Sequence, residues 1–325
     1  MNDSPVISIV APVYNEAGNL QELYKQISEV LVRSGETWEL IFVDDGSSDS
    51  SFDEIQELYR ADSDHVRVVT FARNFGHQIA VTAGMDYAVG QAVILIDADL
   101  QDPPEIILEM LQKWHEGYEV VYAIRSKREG ETWFKRVTAS LFYRVMFSIT
   151  DISIPLDTGD FRLMDRKVVD AVLSMRERHR FIRGMVSWVG YRQTGIEYTR
   201  HERYSGETKY PLSKMLRFAW DGITGFSYFP LQLATYLGFA IAGLSGIAIL
   251  LVIYLRAFTS AKPLEGQATT LIMVLFLGSV QLISLGIIGE YLGRIYNEVR
   301  GRPLYIVRET QGIDDPLERD RHRSR

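Results

Sequence analysis

Two long uncharged segments near the end of the chain restrict its fold more than any other feature of the sequence. Leu231–Leu255 and Thr269–Gly289 each contain no charged residue. About 20 predominantly apolar residues in an α-helix are enough to cross the hydrocarbon core of a bilayer. A pair of buried helices in a large soluble core is the alternative, but two uncharged runs of this length favour the membrane. The sequence therefore predicts a two-helix transmembrane hairpin over residues 231–290.

The charges that flank the two segments predict the orientation of the hairpin. The connection between them is short and contains Pro263 and Gly266, so we expect antiparallel helices with both chain ends on the same side. Basic residues outside the pair outnumber those in the connection. The outer ones are Lys209, Lys214, Arg217, Arg294, Arg300 and Arg302, and the inner ones are Arg256 and Lys262. Because basic residues accumulate in cytoplasmic segments, we expect a multi-pass protein of the inner (plasma) membrane with the N-terminal domain and both termini in the cytoplasm.

Composition narrows the class of protein. The chain of 325 residues contains no cysteine, which excludes disulfides and thiolate metal sites and agrees with a cytoplasmic domain. A net charge of −7 argues against nucleic acid as a partner. The N-terminus lacks the features of a signal peptide. Residues 291–325 are predicted to form a cytoplasmic C-terminal segment with a disordered tail.

Residues 1–230 have the pattern of an α/β domain. Short apolar runs alternate four times with amphipathic helical patterns over roughly the first hundred residues, which is typical of a mostly parallel sheet covered by helices. Leucines and isoleucines at helical spacing predict a helix after the first strand that ends at Gly35. There is no G-x-G-x-x-G turn for a dinucleotide, and "VDDGSSD" has no lysine for a P-loop.

Polar and acidic residues follow several of these strands. They are Pro12, Tyr14, Asn15 and Glu16 after the first strand, Asp44, Asp45, Gly46 and Ser47 after the second, and "DADLQDPPE" after the fourth. Ligands of such sheets bind beyond the carboxyl ends of the strands. We therefore expect these residues to converge at one edge of the sheet.

Asp97 and Asp99 are separated by one residue at the end of an apolar strand. They should point the same way, and carboxylates that close repel each other unless a cation lies between them. Mg²⁺ or Mn²⁺ suits such a pair and completes its shell with water and phosphate. The D-x-D string alone does not distinguish a metal site from acids that cap the next helix, and we assign that capping role to Asp102.

In combination the motifs are specific. "APVYNE", "VDDGSSD", "FARNFGHQIAVTAGMDYAVG", "DADLQDPPE" and "DTGDFRLMDR", followed by two apolar segments, resemble the family 2 glycosyltransferases with a GT-A (Rossmann-like) fold. The closest resemblance is to polyprenyl-phosphate glycosyltransferases of the GtrB and dolichol-phosphate mannosyltransferase types. It extends over residues from about 5 to about 305.

The resemblance implies roles for individual residues on the donor side. The residues implied to bind the nucleotide are Pro12, Tyr14, Glu16, Asp44, Asp45 and Asp97. Those implied to bind the metal and the donor diphosphate are Asp97, Asp99 and Gln101.

It also implies roles on the acceptor side. The residues that match acceptor-phosphate positions are Arg125, Arg136 and Ser140, and those of a basic loop near the diphosphate are Arg203 and Lys209. The candidate catalytic residues are Asp157, Asp160 and Asp99. Whether Asp157 or Asp160 accepts a proton or only positions a substrate is open, because "DTGD" contains two acids where the mannosyltransferase pattern differs.

Two basic amphipathic segments are predicted to lie at the membrane surface. They cover residues 132–149 and 211–229. In the first, apolar residues from Trp133 to Met146 fall on one helical face, with Lys135 and Arg136 off it. Such a helix beside membrane spans is typical of an interfacial element, although a helix packed on the sheet has a similar pattern.

The sequence thus predicts transfer of a hexose, with glucose from UDP-glucose favoured, to a polyprenyl phosphate of the undecaprenyl type, and the resemblance implies inversion at the anomeric carbon. The alternatives are a mannosyltransferase that uses GDP-mannose and an inactive nucleotide-sugar-binding partner of a flippase. A processive polysaccharide synthase is disfavoured because the chain lacks a Q-x-x-R-W string and further spans. The sequence leaves the choice of Mg²⁺ or Mn²⁺ and the formation of a homo-oligomer open.

Overall fold

The computed structural model describes residues 5–125, 158–199, 229–258 and 267–313 of the protein. The strands are β1 (Ile7–Val13), β2 (Trp38–Asp44), β3 (Val66–Phe71), β4 (Ala92–Leu95), β5 (Val120–Arg125), β6 (Thr158–Asp165), β7 (Gln193–Tyr198) and β8 (Val307–Gln311). The helices are α1 (Leu20–Ser34), α2 (Ser51–Ala61), α3 (His77–Tyr87), α4 (Ile106–His115), α5 (Arg166–Ser174), α6 (Ile182–Trp188), α7 (Phe229–Phe258) and α8 (Gln267–Val299). The chain divides into two compact units. The sheet unit contains the eight described strands, and the helical unit contains α7 and α8.

One eight-stranded sheet, in the order β7-β5-β6-β4-β1-β2-β3-β8, forms the sheet unit. β1 pairs in parallel with β2 and β4, and β2 pairs in parallel with β3. β6 is antiparallel to both β4 and β5, and β7 is parallel to β5. The carboxyl ends of β1 to β5 and β7 therefore meet the amino end of β6 at one edge. This arrangement confirms the predicted α/β fold of GT-A type.

The sequence pattern explains why these elements form. Every residue of β1 and β2 is buried, as expected for central strands that are covered on both faces. The buried residues of α1 recur at helical spacing and are Leu20, Leu23, Ile27, Val30 and Leu31. The helix ends at Gly35, whose φ of 74° is a left-handed conformation that glycine adopts without strain. The predicted end of α1 is confirmed.

Close packing of α3 against β1 places the start of α3 at the edge that carries the polar residues. A Cβ on Gly84 would lie 2.1 Å from Cγ1 of Val10, so a larger residue here would push α3 away from the sheet. The first residues of α3, His77 and Gln78, are held at that edge as a consequence.

The segment after α8 returns to the sheet unit, which the sequence pattern did not predict. β8 pairs antiparallel with β3, with Val68 opposite Gln311. The ring of Tyr305 stacks on Phe71 with centroids 5.2 Å apart, and its hydroxyl donates to Asp86 at 2.9 Å. Part of the predicted C-terminal segment 291–325 thus adds an edge strand to the sheet, and the predicted tail, residues 314–325, lies outside the described residues.

The helical unit contains two helices with the length and composition of membrane spans. The candidate spans are Leu231–Leu255 in α7 and Met273–Val299 in α8. Neither is buried inside the part of the protein that the structure describes. α8 continues beyond the predicted limit of residue 290. The predicted interfacial segments 132–149 and 211–229 lie outside the described residues, except for Phe229, with which α7 begins.

Candidate active site

Two interlocked loops extend from the ends of β1 and β2. Asn15 adopts a positive φ of 56°, and its Oδ1 accepts a hydrogen bond from the Ser48 amide at 2.8 Å. In return, the Asn15 amide donates to Oγ of Ser47 at 3.1 Å. Asp44 is buried and accepts from the Ser47 amide at 3.0 Å. The two loops therefore form one surface.

The other predicted nucleotide-binding residues of β1 are distributed around this surface. Pro12 is buried within β1, whereas the side chain of Tyr14 is 49% exposed. The amide of Glu16 donates to Oγ of Ser51 at 2.9 Å, and its carboxylate accepts from Asn19 at 2.8 Å. The structure brings Tyr14, Glu16 and Asp44 to one side of the sheet edge, and their contact with a nucleotide stays a prediction.

Asp45 has a different role in the structure from that of its neighbour Asp44. Its carboxylate accepts hydrogen bonds from the amides of Phe75 at 2.6 Å and Gly76 at 2.9 Å, and from Nδ2 of Asn74 at 3.0 Å. Burial raises the pKa of Asp45 above its ordinary value, although the two amide hydrogen bonds oppose this shift. Asp45 fixes the loop that leads into α3, so its predicted contact with a nucleotide would compete with three internal hydrogen bonds.

The acidic loop after β4 carries the predicted metal ligands. Asp97 is half-buried, while Asp99 is buried and accepts from the Gln101 amide at 3.2 Å. Burial raises the pKa of Asp97 to about 6, and the charges of nearby carboxylates add to this effect while His77 opposes it. Leu100, which lies between Asp99 and Gln101, has a positive φ of 58°, and this conformation turns the backbone sharply.

The predicted capping role of Asp102 is wrong. α4 has Glu105 at its N-cap position and no side-chain capping bond. Asp102 is buried and instead accepts a hydrogen bond from the hydroxyl of Tyr198 at the end of β7. A contact with a distant strand has replaced the local cap.

Asp160, on β6, is buried and lies at the centre of a partly buried polar network. Oδ1 accepts from Nε of Arg183 at 2.7 Å, and Oδ2 accepts from Nε2 of Gln78 at 3.1 Å. Nε2 of His77 lies 3.1 Å from Oδ2 of Asp160 and 3.6 Å from Oδ1 of Asp97. His77 thus bridges the predicted metal loop and the predicted catalytic carboxylate.

The charges in this network determine its protonation. Burial would raise the pKa of Asp160, but the charge of Arg183 and hydrogen bonds from His77 and Arg183 hold it well below its ordinary value. Burial would lower the pKa of His77, but Asp160 and Asp97 outweigh it and raise the pKa to about 9. Asp160 is therefore a firmly ionised carboxylate with its oxygens occupied, which makes it a poor proton acceptor.

Sequence reasoning missed three members of this network. His77 and Gln78 belong to the quoted motif "FARNFGHQ", and their position directly after the third strand was an available signal. Arg183 lies 23 residues after Asp160 on α6, and no local pattern indicated it. Its Nη1 also donates to the carbonyl of Thr158 at 2.9 Å, which anchors the start of β6.

Arg125, predicted to bind the acceptor phosphate, lies at the same edge. Its Nε donates to the hydroxyl of Tyr198 at 3.3 Å. A second arginine, Arg162, is buried on β6 and donates to the carbonyl of Gly159 at 2.9 Å. Burial lowers the pKa of Arg162 to about 10. Arginine side chains thus lie on β5 and β6, while carboxylates lie in the loop that follows β4.

Five predicted residues fall outside the described part of the chain. They are Arg136, Ser140, Asp157, Arg203 and Lys209. Their predicted roles stay predictions.

The acidic loop fits the predicted Mg²⁺ or Mn²⁺ as a partial site. Among the described residues, no group of three or more His, Cys, Asp or Glu side chains forms a complete metal cage. Mg²⁺ is typically held by one or two carboxylates, with water and substrate phosphates filling the other positions. Asp97 and Asp99, with Gln101 beside them, provide such a partial set.

Comparison with known proteins agrees with this geometry. The family model described as "Glycosyl transferase family 2" matches residues 8–173, about half of the chain. The chain belongs to glycosyl transferase family 2. The predicted resemblance and the transferase class are confirmed.

Individual relatives of this family 2 glycosyltransferase match over nearly its whole length. The uncharacterized glycosyltransferase YkcC of Bacillus subtilis is 54% identical over 318 residues, 98% of each chain. A prophage-derived bactoprenol glucosyl transferase of Shigella flexneri is 41% identical over 305 residues, 94% of this chain and 98% of its own. Among solved structures, mannosyltransferase PcManGT from Pyrobaculum calidifontis, in complex with GDP-Man and Mn²⁺, is 17% identical with a TM-score of 0.45, covering 87% of this chain and 88% of its own.

Proposed function

We propose that this family 2 glycosyltransferase transfers glucose from UDP-glucose to a polyprenyl phosphate of the undecaprenyl type, with inversion, at the cytoplasmic face of the inner membrane. The observation that carries the proposal is the 41% identity to a bactoprenol glucosyl transferase over 94% of this chain. That similarity includes both candidate membrane spans as well as the sheet unit.

The sheet edge offers the two kinds of group that this reaction needs. Asp44, Tyr14 and Glu16 lie where a nucleotide would bind beyond β1 and β2, and Arg125 lies at the end of β5. Mg²⁺ or Mn²⁺ at Asp97, Asp99 and Gln101 would supply positive charge for the diphosphate leaving group. Arg203 and Lys209 are proposed to assist there.

The nucleophile is an oxygen of the acceptor phosphate. A phosphate monoester has a second pKa near 6 and is largely ionised at neutral pH, so its attack requires no strong general base. Its oxygen forms a bond to the anomeric carbon while the bond from that carbon to the diphosphate oxygen breaks, and the nucleoside diphosphate leaves with the electron pair.

The contacts of Asp160 agree with this base-free reaction. Because Asp160 is bound to Arg183, Gln78 and His77, we assign it to positioning β6 and α6 rather than to proton transfer. Asp157 remains the candidate for contact with the sugar or the acceptor. Arg136 and Ser140 are proposed to share the acceptor phosphate with Arg125.

Strand β8 supports the proposed topology. Strands before α7 and after α8 belong to the same sheet, and a single folded sheet lies on one side of a membrane. Two spans between them satisfy this condition. Reporter fusions test it: a fusion after Arg325 should report the cytoplasm, and an insertion at Leu264 should report the opposite side. A cytoplasmic signal from Leu264 would contradict the two-span topology.

The central test is direct assay of the purified full-length protein in detergent micelles. UDP-glucose and GDP-mannose, each radiolabelled in the sugar, are incubated with undecaprenyl phosphate and Mg²⁺ or Mn²⁺. We expect labelled lipid from UDP-glucose and, by NMR of the product, a β-linkage from the α-linked donor. Transfer only from GDP-mannose would show that the transferred sugar is mannose and not glucose. No transfer from either donor would favour the alternative of an inactive nucleotide-sugar-binding partner.

A further inference from the structure

A continuous hydrogen-bonded chain connects Arg125 to the acidic loop. Arg125 and Tyr198 are the last residues of β5 and β7 and are register partners in the parallel pair. Nε of Arg125 donates to the Tyr198 hydroxyl at 3.3 Å, and that hydroxyl donates to Oδ1 of Asp102. A guanidinium only donates and an ionised carboxylate only accepts, so the direction of both hydrogen bonds is fixed.

The opposite side of the guanidinium packs on Gly159 of β6. A Cβ built on Gly159 would lie 2.8 Å from Nη2 of Arg125, and its three nearest heavy atoms all belong to the Arg125 guanidinium. The absence of a side chain at position 159 therefore makes room for the guanidinium.

These contacts confine a long, flexible side chain. An unrestrained arginine loses about 2 kcal/mol of rotamer entropy when it is fixed on a ligand. Tyr198 is 4% exposed and Asp102 is 1% exposed, so the groups that restrain Arg125 are themselves immobile. Restraint before binding reduces the entropy that the ligand complex must lose.

We infer that Tyr198 and Gly159 are positioning residues that hold the Arg125 guanidinium in place for the phosphate of the lipid acceptor. This inference rests on the proposed function, because it takes the ligand of Arg125 to be the acceptor phosphate. Asp102 anchors the chain and belongs to the segment that follows the metal ligands.

The first test removes one hydroxyl. Tyr198→Phe should raise the Michaelis constant for undecaprenyl phosphate by about 3- to 10-fold, the range for loss of one restraining hydrogen bond, and leave that for UDP-glucose unchanged. Tyr24→Phe is the matched control, because Tyr24 also donates to a carboxylate, Asp62, at 2.7 Å, but on α1. It should change neither constant.

Gly159→Ala provides an independent test if Tyr198→Phe folds poorly. The nearest atoms to its methyl group are those of the guanidinium at the end of a flexible side chain, so the fold should persist while Arg125 is displaced. We expect the same selective rise in the acceptor constant. In an Arg125→Ala background, neither substitution should raise that constant further, because residues that act through one group are not additive.

The outcomes separate the inference from the proposed function. If wild type transfers sugar and Arg125→Ala impairs acceptor use, but both substitutions are additive with it or affect the donor constant equally, the positioning role is wrong and the function stands. If Arg125→Ala leaves the acceptor constant unchanged, the inference is wrong while the activity stands. Absence of any transfer by wild type would contradict both the proposed function and the positioning role.

Discussion

The two halves of the sheet edge are built from different interactions. Beyond β1 and β2, loops are held by hydrogen bonds between backbone amides and side chains such as Asn15, and Tyr14 is exposed. Around β6, charges are paired with each other, as the buried Asp160 is with the half-buried Arg183 at 2.7 Å. A substitution in the first half should therefore change local shape, whereas one in the second should leave a buried charge without its partner.

The largest effect is expected between the two halves, at the acidic loop. Asp99→Asn should lower the turnover rate by about 1,000-fold or more, since the charge stabilisation supplied by a metal is worth several kcal/mol. EDTA should abolish transfer by wild type, and Mn²⁺ should restore it. Asp53→Asn, which changes an exposed acid on α2, is the control and should retain full activity. Full activity of wild type in EDTA would contradict the metal site.

The next effect contrasts stability in the two halves. Asp160→Ala leaves the half-buried Arg183 without its partner, which should cost up to about 3–5 kcal/mol, the value for a fully buried pair, whereas Asp44→Ala should cost about 1–3 kcal/mol for one unsatisfied amide. Thermal unfolding of the purified variants in the same detergent measures both. Equal shifts in melting temperature would show that the two halves do not differ in the proposed way.

A smaller and more selective effect is expected for Arg125→Ala. Loss of a charge-assisted hydrogen bond to phosphate should raise the acceptor Michaelis constant by about 10- to 100-fold and leave the donor constant unchanged. Arg192→Ala, which changes an exposed arginine directly before β7, serves as the control. Equal losses for donor and acceptor would place Arg125 in a general structural role.

The smallest effect is expected at Asn15, beyond β1. Substitutions there distinguish the contribution of the backbone conformation from that of the side-chain contacts. Asn15→Ala loses two contacts with the β2 loop and must still adopt a positive φ, so it should cost about 1–2 kcal/mol and raise the UDP-glucose constant up to about tenfold. Asn15→Gly keeps the conformation and should lose less. If Gly and Ala behave alike, the conformation of the loop does not matter for donor binding.

The difference between the halves also explains what the sequence could predict. Asp44, Asp97 and Asp99 lie at the ends of apolar strands. Because the sequence pattern predicts that these strands are parallel, it also predicts that the three carboxylates lie at one edge of the sheet. The network of Asp160 joins α3, β6 and α6, and Asp102 meets a tyrosine 96 residues away. Such pairings depend on tertiary packing, and local helix chemistry at Asp102 indicated the wrong partner.

Strand β8 was missed for a different physical reason. Its five residues, "VRETQ", are short and polar, and an edge strand that is paired on one side needs little apolar sequence. The long helices α7 and α8, by contrast, could be predicted because length and absence of charge are properties that the sequence shows directly.

The pairing of β8 with β3 also sets an order for biosynthesis. A ribosome reaches Val307 only after it has made α7 and α8, so β3 remains an open edge throughout the synthesis of both helices. Open edges are sites of intermolecular strand pairing, which makes this interval the one in which the nascent chain is most prone to aggregate. Release of the last strand covers the edge of β3, and completion of the sheet thereby follows synthesis of the two candidate membrane spans.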